Sequence, residues 1–286
     1  MRAAVITGVS SGIGWGTAKV LIRQGCHVFG SVRKEADAAR LAQEFGDAAF
    51  TPLLFDVTDE AAVQAAAAQV RVRVAGETLF GLVNNAGISV PGPLLLQPLD
   101  DFRRQIEVNL TGQLIVTQAF APLLGADTTL RGAPGRIVNI SSVGGKMGWP
   151  FGGAYVASKH GLEGLSESLR QELMLYGIDV IVVGPGAIAT RIWDKVEQFD
   201  ISRYLTSDYG PSLRRFADRI LPEGRKGLPP EEVGEVVWKA LTARHPRLRY
   251  AVLPGGVLRG SVPAFVPRRL VDRVIARMFG LEPNRR

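Results

Sequence analysis

The sequence predicts an α/β fold: a doubly wound parallel sheet in a three-layer α/β/α arrangement. Three observations predict it. Short apolar runs without polar alternation recur along the chain, as in strands buried on both faces. Segments of helical spacing separate them, which is the alternation a parallel sheet requires. The first apolar run ends in a glycine-rich turn, Gly8-Val9-Ser10-Ser11-Gly12-Ile13-Gly14, that feeds a helix.

The elements follow in order. Residues 2–7 (RAAVIT) form a strand and 14–24 a helix with Ala18, Leu21 and Ile22 on one face. A strand at 27–32 (HVFGSV) and a helix at 36–45 come next, then a strand at 52–57 (PLLFDV) and an alanine-rich helix at 60–74. Residues 80–87 (FGLVNNAG) are a strand running into a glycine turn. Residues 100–124 are one long helix or a broken pair. A strand at 135–142, a helix at 154–175 and a strand at 178–186 complete the regular alternation. Beyond Thr190 the pattern loosens. Residues 191–228 mix Trp193, Phe199, Tyr204, Tyr209 and Phe216 with charges, and are expected to form a partly helical, mobile insertion over the substrate. Pro229 and Pro230 precede a helix at 231–243; 249–254 (RYAVLP) reads as a last strand and 268–279 as a last helix, with Leu270, Val274, Ile275 and Met278 on one side. The whole of 1–286 is expected to be a single domain, with 244–286 a C-terminal extension near the substrate cleft.

Composition narrows the class. The chain has 286 residues, 46% of them apolar and 21% charged, enough to bury a sizeable core. Its single cysteine, Cys26, excludes an intrachain disulfide and a cysteine-cluster zinc site, so no metal is expected. The first strand begins at the start of the chain and no long apolar run occurs, so a cytoplasmic protein without a transmembrane helix is expected. The net charge is +7, with basic residues dense near the C-terminus (Arg244, Arg247, Arg249, Arg259, Arg268, Arg269, Arg273, Arg277, Arg285 and Arg286). They lack interleaved aromatics on which bases would stack, so nucleic-acid binding is not expected. A solvated basic surface is one reading of them; contact of the last amphipathic helix with an anionic membrane surface is the other.

The glycine turn fits two chemistries. Gly8-Val9-Ser10-Ser11-Gly12 matches the G-x-S-x-G elbow of a serine hydrolase. Gly8, Gly12 and Gly14 also fit a loop that cradles a dinucleotide pyrophosphate at a helix N-terminus. The elbow needs an oxyanion donor from an earlier strand and a later acid and histidine. Only seven residues precede the loop, and His27, His160 and His245 have no evident catalytic setting. The dinucleotide reading stands, with Ser10 and Ser11 on the phosphate side.

Further motifs carry a resemblance. Thr7-Gly8-Val9-Ser10-Ser11-Gly12-Ile13-Gly14 is similar to the TGxxxGxG loop of the short-chain dehydrogenase/reductase family. Asn84-Asn85-Ala86-Gly87 matches its NNAG motif, Asn109 lies at its helix asparagine, and Ser142 closes NISS. Tyr155 and Lys159 form its YxxxK, and Pro185-Gly186 with Thr190 its PGxxxT. The match is firm from residue 3 to about 190. The C-terminal third resembles the retinol and hydroxysteroid dehydrogenase-like branch.

The resemblance implies a Rossmann fold binding a nicotinamide dinucleotide through Gly8, Ser10, Ser11, Gly12, Ile13, Gly14, Asp56, Val57, Asn85, Ala86, Gly87, Tyr155, Lys159, Pro185, Gly186, Ile188 and Thr190. It implies Asn109, Ser142, Tyr155 and Lys159 as the catalytic group. Residue chemistry agrees for one pair: Tyr155 and Lys159 share a helix face, and an ammonium there would lower the tyrosine pKa. Asn109 is expected to hold a water that links Lys159 to bulk solvent. Asp56 either bonds the adenine amino group or caps the helix near Glu60. The second strand ends Val32-Arg33-Lys34 with no acid before Glu35, so Arg33 is expected to hold a 2′-phosphate and the cofactor to be NADP(H) rather than NAD(H). Met147, Trp149, Phe151, Ile192, Trp193 and Phe199 either line a cleft for a hydrophobic alcohol or ketone or pack a lid; Met147, Trp149 and Trp193 are the substrate-side candidates, with Ser142 and Tyr155. Turnover is expected, in contrast to a non-catalytic sensor of the same fold, and so is a homodimer or homotetramer formed through helices 100–124 and 154–175.

Overall fold

The computed structural model describes residues 2–190, 193, 200–254 and 267–283. The expectations placed on Ile192, Phe199, Arg259, Arg285 and Arg286 lie outside these residues.

Seven parallel strands form one sheet in the order β3-β2-β1-β4-β5-β6-β7. They are β1 (Ala3–Ile6), β2 (His27–Val32), β3 (Phe50–Leu54), β4 (Gly81–Asn84), β5 (Arg136–Ile140), β6 (Asp179–Pro185) and β7 (Arg249–Val252). The order reverses after β1, which opens a crevice at the carboxyl ends of β1 and β4. Successive strand residues point to opposite faces, and both faces are buried. Ala3 and Val5 pack with Phe29, Leu82, Val63 and Phe120 on one side, while Ala4 and Ile6 pack with Val28, Val83, Leu21 and Val237 on the other. Two apolar faces explain why the strands read as unbroken apolar runs.

The helices are α1 (Gly12–Arg23), α2 (Glu35–Phe45), α3 (Glu60–Val74), α4 (Leu99–Ile106), α5 (Gly112–Phe120), α6 (Gly153–Glu172), α7 (Ser202–Leu205), α8 (Gly210–Arg225), α9 (Pro230–Thr242) and α10 (Arg268–Phe279). Local chemistry sets several ends. The Asp59 side chain accepts the Ala62 N–H at the start of α3. That takes from Asp56 the capping role left open by the sequence. Pro230 opens α9, with Glu231 and Glu232 in its first turn, where the helix dipole favours acids.

Most element ends shift by one to three residues from the sequence reading, and two of the differences have a structural reason. The third strand lies at Phe50–Leu54, not 52–57, because it pairs with β2 from Val28↔Phe50 to Val32↔Leu54. Pro52 is tolerated there because β3 is an edge strand. Of the two alternatives for 100–124, the structure has the one continuous helical run, with irregular turns inside it. α4 runs through a π-helical turn, Glu107–Thr111, into α5 and ends in a 3₁₀ turn at Ala121–Leu124. Such turns appear often at functional sites, and this one carries Asn109.

Residues 200–225 and the C-terminal helix pack in a different way from the sheet layers. Phe151, Tyr204 and Leu213 form a small separate cluster with Ile201, Tyr209, Phe216 and Leu281. α10 closes on it through Phe279 against Phe216, ring centroids 5.2 Å apart, and Ser212 Oγ donates to the Gly280 carbonyl at 2.8 Å. No helix among the described residues is long and apolar enough to cross a membrane.

Candidate active site

The crevice begins at the turn after β1. Thr7 Oγ1 accepts the N–H groups of Asn85 and Ala86, each at 2.9 Å. Asn85 Nδ2 donates back to the carbonyls of Thr7 at 2.8 Å and Gly8 at 3.2 Å. Four hydrogen bonds therefore clamp the β1 and β4 turns together. Gly8 and Gly12 take φ values of +71° and +62°, which disfavour any side chain. A Cβ on Gly14 would run into the Gly8 carbonyl and the Asn85 amide. Ser10 and Ser11 complete the loop between Gly8 and Gly12, and Ile13 packs under it against the β-sheet core.

This loop fits a pyrophosphate. Ser11 stands extended at the start of α1, its side chain makes no capping bond, and the first turn holds no acid. The leading N–H groups of α1 are thus without a side-chain acceptor, which is an anion site at a helix N-terminus. Thr190 lies against the loop, with its side chain 3.2 Å from where a Gly12 Cβ would sit. Pro185 ends β6, the Gly186 N–H donates to the Val252 carbonyl at 2.9 Å, and Ile188 is buried beneath. Asp56 and Val57 follow β3; Val57 is buried against Gly112, and the Asp56 carboxylate accepts from the Thr58 N–H and hydroxyl. Burial pushes the Asp56 pKa up, but the Thr58 bonds and the Arg33 guanidinium outweigh it and hold the carboxyl below its usual range. Arg33 is 58% exposed and lies 3.5 Å from Asp56 at the crevice rim.

A second group lies deeper. Ser142 follows β5, and its Oγ accepts the Gly144 N–H at 3.0 Å. The Ser142 side chain also hydrogen-bonds the Tyr155 hydroxyl. Lys159, one turn further along α6, is only 4% exposed. Its Nζ donates to the Ile140 carbonyl at 2.9 Å and lies 5.8 Å from the Tyr155 ring centre. A Cβ on Gly87 would come within 3.7 Å of Lys159 Nζ and 3.2 Å of Asn109 Oδ1, so the NNAG turn brings its glycine against both. Asn109 is fully buried: Oδ1 accepts the Ile88 N–H at 2.8 Å, and Nδ2 donates to the Ile88 carbonyl at 2.9 Å and to Ser158 Oγ at 3.0 Å.

Burial lowers the Lys159 pKa to about 8, against the opposing pull of the Glu163 carboxylate. Burial raises the Tyr155 pKa, and the Ser142 bond only partly offsets it. The sequence reading expected the ammonium to lower Tyr155. In the structure Lys159 points its Nζ at Ile140, and desolvation of the phenol prevails.

The apolar candidates divide. Trp149 lies beside this second group, its ring centre 6.1 Å from that of Tyr155 and its edge against Gly144 and Gly152. Met147 is half-buried in the turn just before it. Trp193 instead donates its indole N–H to the Ile188 carbonyl at 2.7 Å and packs on Gly224 of α8. Phe151, at a φ of +62°, stacks edge-on against Tyr209 and Phe216. For Trp193 and Phe151 the lid-packing alternative is the one the contacts favour.

The sequence reading missed three residues. Arg40, on α2, donates to the Ser10 carbonyl at 2.8 Å. Arg249, on β7, donates to the Ser142 carbonyl at 3.1 Å and to both oxygens of Glu163. Only Glu163 carried a local signal, one helical turn beyond Lys159.

The model of the short chain dehydrogenase family matches residues 2–200. The chain belongs to the short-chain dehydrogenase/reductase family. It is 38% identical over 275 residues to the NADPH-dependent 3-dehydrocapnine reductase of Ornithobacterium rhinotracheale, covering 96% of each chain. It is 36% identical over 282 residues to retinol dehydrogenase 5 of Mus musculus, covering 94% of this chain and 86% of that one. Among solved structures, a short-chain dehydrogenase from Streptomyces avermitilis superposes with a TM-score of 0.74 at 26% identity, over 97% of this chain and 94% of that one. As a short-chain dehydrogenase/reductase, the chain is an oxidoreductase with a site for a nicotinamide dinucleotide. The glycine turn, the NNAG turn and the Tyr155–Lys159 helix face lie on the strand ends where this family's fold opens its crevice.

Proposed function

We propose that the chain is an NADP(H)-dependent oxidoreductase that interconverts a hydrophobic ketone or aldehyde and its alcohol, with Tyr155 as the acid/base. The observation that carries the reading is the convergence of Ser142, Tyr155 and a buried Lys159 beside a glycine turn whose helix donors lack a side-chain acceptor. The glycine turn and Asn85 to Gly87 would hold the dinucleotide, with Val57, Pro185, Gly186, Ile188 and Thr190 around it; when bound, it supplies or takes up a hydride. Ser142 Oγ and the Tyr155 hydroxyl hold the reacting oxygen between them. Tyr155 gives that oxygen a proton in reduction and takes one in oxidation. Lys159, with a pKa of about 8, exchanges protons near neutral pH one helical turn from the phenol. The Asn109 side chain bonds Ile88 and Ser158 and so holds the β4 turn against α6, and one lone pair of its Oδ1 stays available to a water that links Lys159 to solvent.

Arg33, free of an acidic neighbour on its own strand end, supports a 2′-phosphate and hence NADP(H). The name of the Ornithobacterium relative supports the same cofactor. Trp149 and the aromatic cluster of Phe151, Tyr204 and Phe216 support a hydrophobic substrate under a lid formed by 200–228 and the C-terminal helix. The test is a panel of steroid, retinoid and medium-chain ketones with NADPH and NADH, followed at the nicotinamide absorbance. Turnover with NADPH on the hydrophobic members is expected. Faster turnover with NADH overturns the cofactor assignment, and binding without turnover on any member overturns the enzyme reading. Assembly through α4–α5 and α6 as a dimer or tetramer is expected, and light scattering measures it.

A further inference from the structure

Behind the reactive group lies a buried ionic cluster with no partner in the chemistry proposed above. Glu163 is 5% exposed, and a buried carboxylate is costly unless it is paired. Arg249 Nε reaches both its oxygens at 3.0 and 3.1 Å. Lys146 Nζ adds a contact at 3.3 Å, from a side chain half in solvent and correspondingly weak. The turn after Ser142 is pressed against this pair. A Cβ on Gly145 would lie 2.7 Å from Glu163 Oε1 and 2.5 Å from Ser141 Oγ.

The cluster touches the reactive group twice. Arg249 Nη2 donates to the main-chain carbonyl of Ser142 at 3.1 Å, so the edge strand β7 holds the serine in place. Glu163 lies one turn beyond Lys159 on α6 and is the charged group that favours its ammonium form. Around Lys159 the other facing groups are the Ile140 carbonyl from β5, Asn109 from the π turn, Gly87 from the β4 turn and the Tyr155 phenol from α6. None of them is a fixed charge. Around Glu163 the charged neighbours are Arg249 from β7, Lys146 from the turn after β5, and Lys159.

We propose that Glu163 and Arg249 are paired positioning residues: Arg249 fixes the Ser142 backbone, and the two opposite charges together set how readily Lys159 carries a proton. The proposal rests on the acid/base reading of Tyr155 and Lys159. It makes two charge removals act in opposite senses. Glu163→Gln takes away the anion and leaves Arg249 uncompensated, so Lys159 loses its proton at lower pH. Arg249→Met takes away a cation and leaves the Glu163 carboxylate facing only Lys146 and Lys159, so Lys159 becomes more of its counter-charge and the same loss moves to higher pH. Loss of fit or packing alone gives no reason for opposite signs.

The test uses the full chain saturated with NADPH. The Lys159 midpoint is read by 13C-lysine NMR, assigned through Lys159→Met, and kcat is read against pH with the ketone that the panel finds. Glu163→Gln is expected to move the midpoint down by about half a pH unit or more, and Arg249→Met to move it up by a similar amount. Glu163→Asp keeps the charge and is expected to stay near wild type. In the Gln and Met variants kcat falls about 10-fold while the KM for NADPH stays within about twofold, because Arg249 is left without its carboxylate in one and Ser142 without its anchor in the other, and the cofactor contacts are untouched. Midpoints that stay still, or move the same way in both variants, overturn the proposal. Where Glu163→Gln does not fold, Arg249→Met against Glu163→Asp decides by the same midpoint. Tyr155→Phe separates the two levels. If it keeps full turnover, the acid/base reading fails and the positioning proposal falls with it. If it is inactive while the midpoints stay still, only the positioning proposal fails.

Discussion

The chain up to Thr190, with α9 and β7, and the segments 200–225 and 267–281 are built by different physics. In the first region main-chain hydrogen bonds and close approaches do the placing: Thr7 clamps the β4 turn, Gly14 admits the Gly8 carbonyl, and Lys159 is pinned to Ile140. In the second, aromatic side chains do it, with Tyr204, Phe216 and Phe279 gathering around Phe151 of the first region in a small cluster apart from the two sheet cores. Its last helix leaves Leu270, Val274 and Met278 exposed. A region built on backbone geometry holds reacting atoms to a few tenths of an ångström, whereas one built on a few rings adapts to the shape of a substrate.

That contrast is sharpened most by Tyr155→Phe, for which turnover is expected to fall by about 10²–10⁴-fold while dinucleotide binding, read by fluorescence, changes little. Gly14→Ala strikes the rigid region at its tightest point. A cost of about 1–3 kcal/mol in stability is expected, along with a marked loss of dinucleotide affinity, checked by urea titration and fluorescence. Arg33→Ala is expected to weaken NADPH about 10-fold and NADH hardly at all; equal losses for the two would sink the NADP(H) assignment. Phe216→Ala, in the adaptable region, should raise the KM for a hydrophobic ketone several-fold while the melting temperature moves by less than about 4 °C. A collapse of dinucleotide binding in that variant would break the contrast.

The smallest effect is one of pH. The folded pKa of Lys159, about 8, lies below its ordinary value, so between these values the unfolded chain binds the extra proton. Stability measured without added dinucleotide therefore gains a contribution as pH rises above about 8, and Lys159→Met should remove it. In reduction the sign is opposite, because the ammonium is lost through the same range and turnover declines.

Much of this was legible before any coordinates. Apolar runs of strand length gave the sheet, and the helix from Glu60 to Val74 coincides with its observed span because Asp59 caps it locally. The Tyr155–Lys159 face followed from a spacing of four. What could not be read was how far side chains reach across the fold. Arg249 meets Ser142 from a strand 107 residues later, and Arg40 meets Ser10 from α2, 30 residues later. Trp193 and Phe151 could be cleft lining or packing by composition, and their contacts lie with Ile188, Gly224, Tyr209 and Phe216.

The sequence by itself determined the layers, the glycine turn and the register of Tyr155 with Lys159, because periodicity and glycine placement act over a few residues. Only the tertiary structure decided the π turn that carries Asn109, the burial that brings Lys159 to a pKa of about 8, and the Glu163–Arg249 pair behind it. Those depend on desolvation and on contacts between distant segments, which exist only once the sheet has assembled.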